Sequence, residues 1–543
     1  MKRKLIIIGA GLAGLSAAFT AAEAGFPCIL VSQQPSERSQ SVLAEGGING
    51  EQSGGQTALQ SHWQDTMKAG SGLSDPNAVR NLVRGASEII CGLMDLGTPF
   101  QMTEEGPALR KLGGHTRPRT VYAGNSTGKA ILTALADAVR RQEAAGLVTR
   151  MDNHRFRKLI LQEERCLGCF VQDCYTGATL RLYGPVLLAS GGMSGLLPGH
   201  ATGTVKNDGS VTAAVFRQGV ELGNLEFIQY HPTTVPIPGK NLLVSEAARS
   251  AGGRLFTEKN GAPWYFLEDL YGPEGNLVSR DRAVTAMWKA SFQTGSRLPV
   301  YLDMRGIPAE LWKEQLAQLK EECEGFLHID PEKNPVPVEP AVHYFMGGIL
   351  VDEYHRTNKR FLYAAGECAC QYHGASRLGG NSLLGALYGG KTAALAAMED
   401  WETCRTDARY GETMKTFPEM VDSPETGRIQ GISYDRVQSR IGEILWNCLG
   451  IVRTKEDLEK GGKELEKMME ENDLTQEEKD KIRLGIAMVR SALERRESRG
   501  AHQRLDAPET CREFCKTTVA AFDGRQVTVR FRDIPADREA KRE

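Results

Sequence analysis

The sequence has 543 residues, which is too long for one hydrophobic core, so several domains are expected. The 66 Lys and Arg residues nearly balance the 68 Asp and Glu residues, and the formal net charge of −2 argues against a nucleic-acid partner. The contents of hydrophobic residues (41%) and charged residues (25%) are typical of globular proteins.

The N-terminal stretch of the chain is apolar and permits two interpretations. Between residues 5 and 26 the only charged residue is Glu23, a composition that a signal peptide or a membrane span would also have. The pattern also predicts a strand at 4–8, a helix at 12–25 and a second strand at 27–32, which together form a buried βαβ unit. We favour the βαβ unit because three glycines with a specific spacing lie within it. No other segment approaches the length of a membrane span, so any membrane contact is expected through partner subunits.

These glycines are Gly9, Gly11 and Gly14, and their spacing is that of a dinucleotide-binding turn between a strand and a helix. The first glycine permits the tight turn, the second lets the backbone approach a pyrophosphate, and the third lets helix and strand pack closely. The phosphates would then bind at a helix N-terminus, which favours anions. The second strand ends at Ser32, where an NAD-binding unit would carry Asp or Glu, so the pattern favours FAD.

The rest of the chain predicts an α/β protein of several parts. Helices are predicted at 78–98, 128–145 and 379–398, and buried strands at 185–190 and within 346–366. From about residue 226 to 338, Pro, Gly and aromatic residues become frequent. Beyond residue 400 the sequence is rich in charged residues and has a helical pattern. The predicted parts are a Rossmann-like FAD-binding domain (1–225 and 339–400), an inserted α+β capping domain (226–338), a helical domain (401–505) and a C-terminal hairpin and tail (506–543).

Cysteines do not predict a metal site. The one dense group is Cys166, Cys169 and Cys174, in an alternating run with Thr176-Gly177 at a turn. No second pair lies nearby, so these are interpreted as cysteines of a hairpin without metal. Twelve scattered cysteines suit a reducing, cytoplasmic compartment.

Cationic and imidazole residues recur in apolar or glycine-rich surroundings. Singly, each histidine is best explained as a structural residue, but together they suit a ligand with two negative charges, which needs several fixed donors. They are Tyr230-His231-Pro232, Glu246 and Arg249, Arg280-Asp281, His343-Tyr344, and His373 with Arg377.

Long motifs in order give the chain a family resemblance. They read RSQSVLAEGGING, EFIQYHPT, SEAAR, PAVHYFMGG and HGASRLGGNSLLGALYGG. The sequence resembles the flavoprotein subunit of succinate dehydrogenase/fumarate reductase, in particular the type that works with a menaquinone-linked cytochrome b. The resemblance implies an FAD enzyme that interconverts fumarate and succinate by hydride transfer at flavin N5. It also implies an iron–sulfur subunit and a membrane cytochrome b anchor as partners, at the cytoplasmic face of the membrane.

The resemblance assigns roles to individual residues. It places the proton donor at Arg280, fed by a relay of Glu246 and Arg249, which share one face if their segment is helical. It places the ligands of the substrate carboxylates at His231, Ser245, His343 and Arg377. It places the FAD contacts at Gly9, Ala10, Gly11, Leu12, Ala13, Gly14, Ser32, Gln40, Ser41, Gly46, Gly47, Asp208, Glu367, Ser382 and Leu383.

Two positions depart from the family pattern. Many members attach FAD through a histidine in an R-S-H motif, but this chain has Gln40 there, so we predict non-covalent FAD. Loss of a histidyl link should favour fumarate reduction over succinate oxidation. The family's R-G-E-G-G reads Arg249-Ser250-Ala251-Gly252-Gly253, so a carboxylate is missing and another unsaturated acid stays open as the substrate.

Two further alternatives stay open. L-aspartate oxidase is homologous and binds FAD non-covalently, and the stretch from Gly113 to Thr116 resembles its own. That enzyme carries a glutamate before the glycines, whereas this chain has Leu112, which cannot pair with a substrate ammonium. The other alternative is a non-catalytic electron-relay subunit.

Overall fold

The structure is a computed structural model that describes residues 4–50, 55–237, 240–292, 298–406 and 434–540. Part of the predicted helical domain, 407–433, lies outside the described residues.

A five-stranded parallel sheet forms the centre of the first domain. Its strands, in spatial order, are Leu362–Ala364, Val186–Leu188, Leu5–Ile8, Cys28–Val31 and Val148–Met151. Each neighbouring pair is parallel, as a βαβ unit requires. The predicted α/β class with a dinucleotide-type sheet is confirmed.

Both faces of this sheet are buried, which explains why its strands lack polar residues. Ile6 and Ile8 pack into one hydrophobic core, and Leu5 and Ile7 pack into another on the opposite face. Four helices cover the face of Leu5 and Ile7: Leu12–Glu23, Pro76–Asp95, Thr127–Ala144 and Asn381–Thr406. An antiparallel sheet covers the face of Ile6 and Ile8, and its strands are His154–Gln162, Arg165–Asp173 and Thr179–Tyr183. Cys166 and Cys169 are buried in its central strand.

A six-stranded antiparallel sheet carries the inserted region. In spatial order its strands are Lys240–Leu243, Ile228–Ile237, Val336–Phe345, Val300–Asp303, Arg254–Lys259 and Ala262–Trp264. Its helices are Glu246–Ser250, Phe266–Tyr271, Arg280–Ser291, Ala309–Gln315 and Ala317–Glu322.

Two long strands connect this region to the first domain. On Ile228–Ile237, Ile228 packs into the core of the parallel sheet, whereas Val235 packs into the separate core of the inserted region. On the strand Val336–Phe345, Phe345 packs into the core of the parallel sheet, whereas Val336 packs into the core of the inserted region. The predicted boundary at 338/339 therefore falls within a continuous strand, and the domain limits stay a prediction.

The C-terminal part combines helices with a hairpin. The helices are Tyr434–Cys448, Lys455–Met469 and Gln476–Glu494. The last begins at a capping box, in which Thr475 and Glu478 bond each other's backbone N–H groups. The hairpin strands Lys516–Phe522 and Val527–Asp533 extend a sheet formed with Ala369–Cys370, Gly348–Leu350 and Leu222–Gly223. Among the described residues, every helix is too short or too polar to span a lipid bilayer.

Candidate active site

The glycine-rich turn after the first strand has the geometry of a phosphate-binding loop. Gly9 has a φ of 114°, and a Cβ there would lie 2.1 Å from the carbonyl oxygen of Ala189. A Cβ at Gly14 would lie 1.8 Å from the carbonyl oxygen of Gly9, so this glycine lets the helix pack on the turn. A Cβ at Gly11 would meet only the side chains of Ser39 and Ser41, and Gly11 borders the open cleft.

One continuous cleft joins this turn to the cationic residues. Of the predicted FAD contacts, all except Gly14 line the cleft. Of the residues predicted to act on the substrate, all except Arg249 line it, at the far end. The structure therefore brings together two groups of residues that are far apart in the sequence.

The near end of the cleft fits a dinucleotide pyrophosphate. Gly11 occupies the N-cap of the helix Leu12–Glu23 without a capping side chain, and the first turn of this helix has no acidic residue. The hydroxyl oxygen of Ser39 lines the cleft close to Gly11 and has no hydrogen-bond partner within the described part of the chain. Backbone N–H groups, a helix dipole and a spare hydroxyl are the donors that phosphate oxygens need.

Several of the predicted FAD contacts have protein partners, among them Gln40, Ser32 and Glu367. The side-chain oxygen of Gln40 accepts a hydrogen bond from the backbone N–H of Thr204 at 2.7 Å. The hydroxyl of Ser32 donates to the carboxylate of Asp152 at 2.8 Å. The second strand has no Asp or Glu at its end, and Asp152, which directly follows the adjacent strand Val148–Met151, supplies a carboxylate there. Glu367 accepts from the backbone N–H of Phe345, and burial raises the pKa of this carboxyl to about 7.

Among these predicted FAD contacts, Asp208 has the partner that is most distant in sequence. One of its carboxylate oxygens accepts from the backbone N–H of Ser210, and the other lies 2.6 Å from the ammonium of Lys481. Lys481 is 1% exposed and belongs to the helix Gln476–Glu494. A C-terminal helix therefore supplies the counter-charge for a carboxylate in the cleft wall.

At the far end, Glu246 lies between two arginines. Its Oε2 accepts from Arg280 at 2.7 Å and 3.0 Å, and its Oε1 accepts from Arg249 at 3.0 Å. All three side chains are buried. Burial alone would raise the pKa of Glu246, but the two arginines outweigh it and hold that pKa at about 2. The predicted helix exists as Glu246–Ser250, and Arg249 lies behind Glu246, away from the cleft.

Two imidazoles face each other beside this ion-pair network. The ring centroids of His231 and His343 are 5.0 Å apart. Burial and the nearby Arg280 hold the pKa of both histidines well below the ordinary value, so both rings are neutral at pH 7. The backbone N–H of Thr233 donates to Nδ1 of His231, which favours the tautomer with its proton on Nε2. Thr202 bonds Nδ1 of His343 at 2.9 Å.

Arg377 is a buried cation of the cleft wall without a carboxylate partner among the described residues. Its guanidinium lies over the ring of Tyr344 at 4.4 Å, and burial followed by Arg280 lowers its pKa to about 9. Arg280, Arg249 and Arg377 carry three positive charges, and Glu246 offsets one of them. The resulting charge of +2 matches a dianionic ligand.

Of the other positions singled out in the sequence, Ser245 and Leu112 border the same space, whereas Ala251 does not. Ser245 is the N-cap of the helix Glu246–Ser250 and lines the cleft. Leu112 also lines it, so an apolar side chain stands beside Glu246 and Gly379. Ala251, where the family has a carboxylate, packs against the core of the inserted region instead of lining the cleft.

Sequence reasoning missed several residues of the site. Gln229 bonds Arg280, Thr202 bonds His343, and Lys481 bonds Asp208. Only Gln229 had a signal, because it lies two residues before His231 on one strand and so shares its face. The other two contacts join segments with no common motif.

Sequence families that match the chain agree with this arrangement. A family described as FAD binding domain matches residues 4–383, and one described as fumarate reductase flavoprotein C-term matches residues 474–541.

Curated relatives are similar over nearly the whole chain. The succinate dehydrogenase flavoprotein subunit of Bacillus subtilis (strain 168) is 36% identical, over 95% of this chain and 93% of its own length. The L-aspartate oxidase of Pseudomonas aeruginosa is 33% identical, over 95% and 97%. Among solved structures, a chain of the E. coli quinol fumarate reductase superimposes with a TM-score of 0.87 at 28% identity, covering 99% of this chain and 97% of that one.

Proposed function

The chain belongs to the succinate dehydrogenase/fumarate reductase flavoprotein family, and from that premise we propose that it interconverts fumarate and succinate with a bias toward fumarate reduction. The observation that carries the proposal is the charge of the far end of the cleft. Arg377 has no carboxylate partner among the described residues, and Glu246 offsets only one of the other two arginines. A dicarboxylate would complete this balance.

The side chains would hold and polarise the substrate. Arg377, His231, His343 and Ser245 would bind the two carboxylates. Neutral imidazoles that donate a hydrogen bond would stabilise the charge that develops on a carboxylate without adding a buried cation. FAD, when bound, supplies the hydride through N5.

Arg280 would supply the proton. Arginine is a very weak acid, so it needs a fixed geometry, exclusion of water and a group that restores its proton. Glu246 bonds both Arg280 and Arg249, so it can pass a proton from Arg249, which lies behind it, to Arg280 in the cleft. This arrangement supports the relay of Glu246 and Arg249.

We also propose that FAD is held without a covalent bond. Gln40 lies in the cleft wall and its amide bonds the backbone of Thr204. A carboxamide cannot form the histidyl link, and the absence of that link supports the bias toward fumarate reduction.

The proposed partners are an iron–sulfur subunit and a membrane cytochrome b anchor at the cytoplasmic face. The B. subtilis relative is by name a flavoprotein subunit, and a quinol-fumarate reductase solved with menaquinol is 28% identical with a TM-score of 0.85. These relatives support a subunit that exchanges electrons with a quinone through other chains.

L-aspartate oxidase is the second candidate, since relatives of that name are equally well covered. Leu112 disfavours it, because an apolar side chain in the cleft leaves a substrate ammonium without a partner. Ala251 replaces a family carboxylate, which left a different unsaturated acid open as the substrate. Because Ala251 lies outside the cleft lining, this replacement is weaker support for a different substrate.

Turnover with different acceptors and donors tests the proposal. The purified FAD-loaded chain is given a reduced dye with fumarate or another unsaturated acid, and an oxidised dye with succinate or aspartate. We expect the highest kcat/KM with fumarate. A higher value with aspartate would support the oxidase, and FAD binding without turnover of any acid would support a relay subunit.

A further inference from the structure

Gln229 is a fully buried amide behind the far end of the cleft, and it bonds two residues that line the cleft, Arg280 and Arg377. It lies on the strand Ile228–Ile237. Its side-chain oxygen accepts from Nη1 of Arg280 at 3.2 Å, and its nitrogen donates to the backbone oxygen of Arg377 at 2.9 Å. The nitrogen also lies 3.3 Å from the hydroxyl of Ser376, which in turn donates to Asp281. One side chain therefore joins the segments that carry the two arginines of the cleft.

The chemistry of the partners fixes the orientation of this amide. A guanidinium can only donate hydrogen bonds, and a backbone carbonyl can only accept them. The oxygen of Gln229 must therefore face Arg280 and the nitrogen must face Arg377. The opposite orientation would place N–H against N–H and oxygen against oxygen.

The amide also determines which hydrogens of Arg280 remain for the substrate. A guanidinium has five N–H donors. The Nε hydrogen and one Nη2 hydrogen go to Glu246, and one Nη1 hydrogen goes to Gln229. One hydrogen stays on each terminal nitrogen, and Arg280 lines the cleft.

The neutrality of Gln229 matters as much as its position. Arg280 already shares Glu246 with Arg249, so its charge is only partly compensated. A second carboxylate at position 229 would hold the proton on Arg280 more tightly and reduce the charge of the cleft end from +2 to +1. A neutral acceptor fixes the guanidinium without either effect.

We propose that Gln229 is a positioning residue that directs the free hydrogens of Arg280 at the substrate, places no second negative charge beside that guanidinium, and fixes the loop of Arg377. The inference rests on the proposed function, because it concerns the proton that fumarate receives.

Two substitutions separate charge from shape. Gln229→Glu keeps the size and the acceptor that faces Arg280, but it adds a negative charge and replaces the donor that faces Arg377 with an oxygen. Gln229→Met keeps the volume and the neutrality but loses both hydrogen bonds. If Gln229 acts through its neutrality, the glutamate variant has the lower kcat for fumarate reduction and a KM raised about tenfold or more. If Gln229 only supports the local structure, both variants lower the unfolding temperature, since each loses the hydrogen bond to the backbone oxygen of Arg377, and their kcat values are alike.

The chain offers a matched control in Gln172. This amide is also buried, accepts from Arg155 and donates to the backbone oxygen of Gly177, but it lies outside the cleft lining. We expect Gln172→Glu to leave kcat and KM unchanged.

Bound FAD and the solvent isotope effect complete the experiment. We expect FAD content to be unchanged in both Gln229 variants, since Gln229 does not line the cleft. We expect the solvent isotope effect on kcat to rise, because proton transfer becomes slower. A glutamate variant with kcat at or above that of the methionine variant would overturn the inference. Failure of the wild-type chain to reduce fumarate would instead overturn the proposed function.

Discussion

At the scale of single residues, the candidate site is defined by how each buried charge is paired. Glu246 compensates two arginines at once, and Arg377 lies over an aromatic ring without a carboxylate among the described residues. Burying a charge without a partner is costly, so a protein keeps such an arrangement only where a ligand provides the missing charge. The neutral state of His231 and His343 follows chiefly from burial, which lowers the pKa of both rings, and the nearby cations lower it further.

Arg280→Gln tests the proton donor. A glutamine keeps a polar side chain but has no proton to give, so we expect fumarate reduction to fall by about 100-fold or more. The measurement is steady-state turnover with a reduced dye, with bound FAD quantified in parallel. Arg282→Gln is the control, because Arg282 is exposed on the same helix. Equal activity of the two variants would remove Arg280 from the mechanism.

Acid precipitation tests the role of Gln40. Since a carboxamide cannot form the histidyl link, we expect all the flavin in the supernatant and none with the precipitated chain. Absorbance of both fractions near the flavin maximum gives the answer. Flavin that stays with the pellet would show a covalent bond at another residue.

At the scale of elements, the cleft depends on a helix far from the dinucleotide turn in sequence. The helix Gln476–Glu494 places the ammonium of Lys481 against Asp208, inside the cleft wall. Without that ammonium, the Asp208 carboxylate would be an uncompensated negative charge in the wall of a cleft that accommodates an anionic cofactor. The C-terminal region is therefore expected to contribute to cofactor affinity as well as to stability.

Lys481→Met tests this contribution. We expect the dissociation constant of FAD to rise about tenfold or more, equivalent to about 1.4 kcal/mol. Fluorescence titration of the FAD-free chain measures it. Lys481→Arg should retain most of the affinity because it keeps the charge, and Lys463→Met is an exposed control on the preceding helix. If Lys481→Met lowers only the unfolding temperature, the lysine acts on stability alone.

At the scale of the whole molecule, the buried histidines couple stability to pH. Seven of the ten histidines are held well below the ordinary pKa, chiefly by burial: His62, His115, His231, His343, His355, His373 and His502. In the unfolded chain they take up protons near pH 6.5, whereas in the folded chain they do not. Stability should therefore fall as pH decreases below 6.5.

The predicted slope is steep. Each such histidine contributes up to about 1.4 kcal/mol per pH unit between its two pKa values. Glu45 and Glu367, with pKa values raised to about 8 and about 7, act in the opposite direction but are outnumbered. We expect the unfolding temperature to decrease steadily from pH 7 to pH 5.5, measured by thermal scans in buffers of equal ionic strength. A constant or rising temperature over this range would contradict the assignment.

Patterns along the chain were sufficient to predict the βαβ unit, the type of cofactor and most residues of the far end of the cleft. These depend on local rules, since glycine spacing and strand periodicity act over a few residues, and long motifs keep their order along the chain. Only the tertiary structure brought Gln229 against Arg280 and Lys481 against Asp208. The same holds for the charge of +2 at the far end, and for the continuous strand across the predicted boundary at 338/339. Such contacts join residues that are distant in sequence, and their geometry is set by how whole elements pack, which no local pattern encodes.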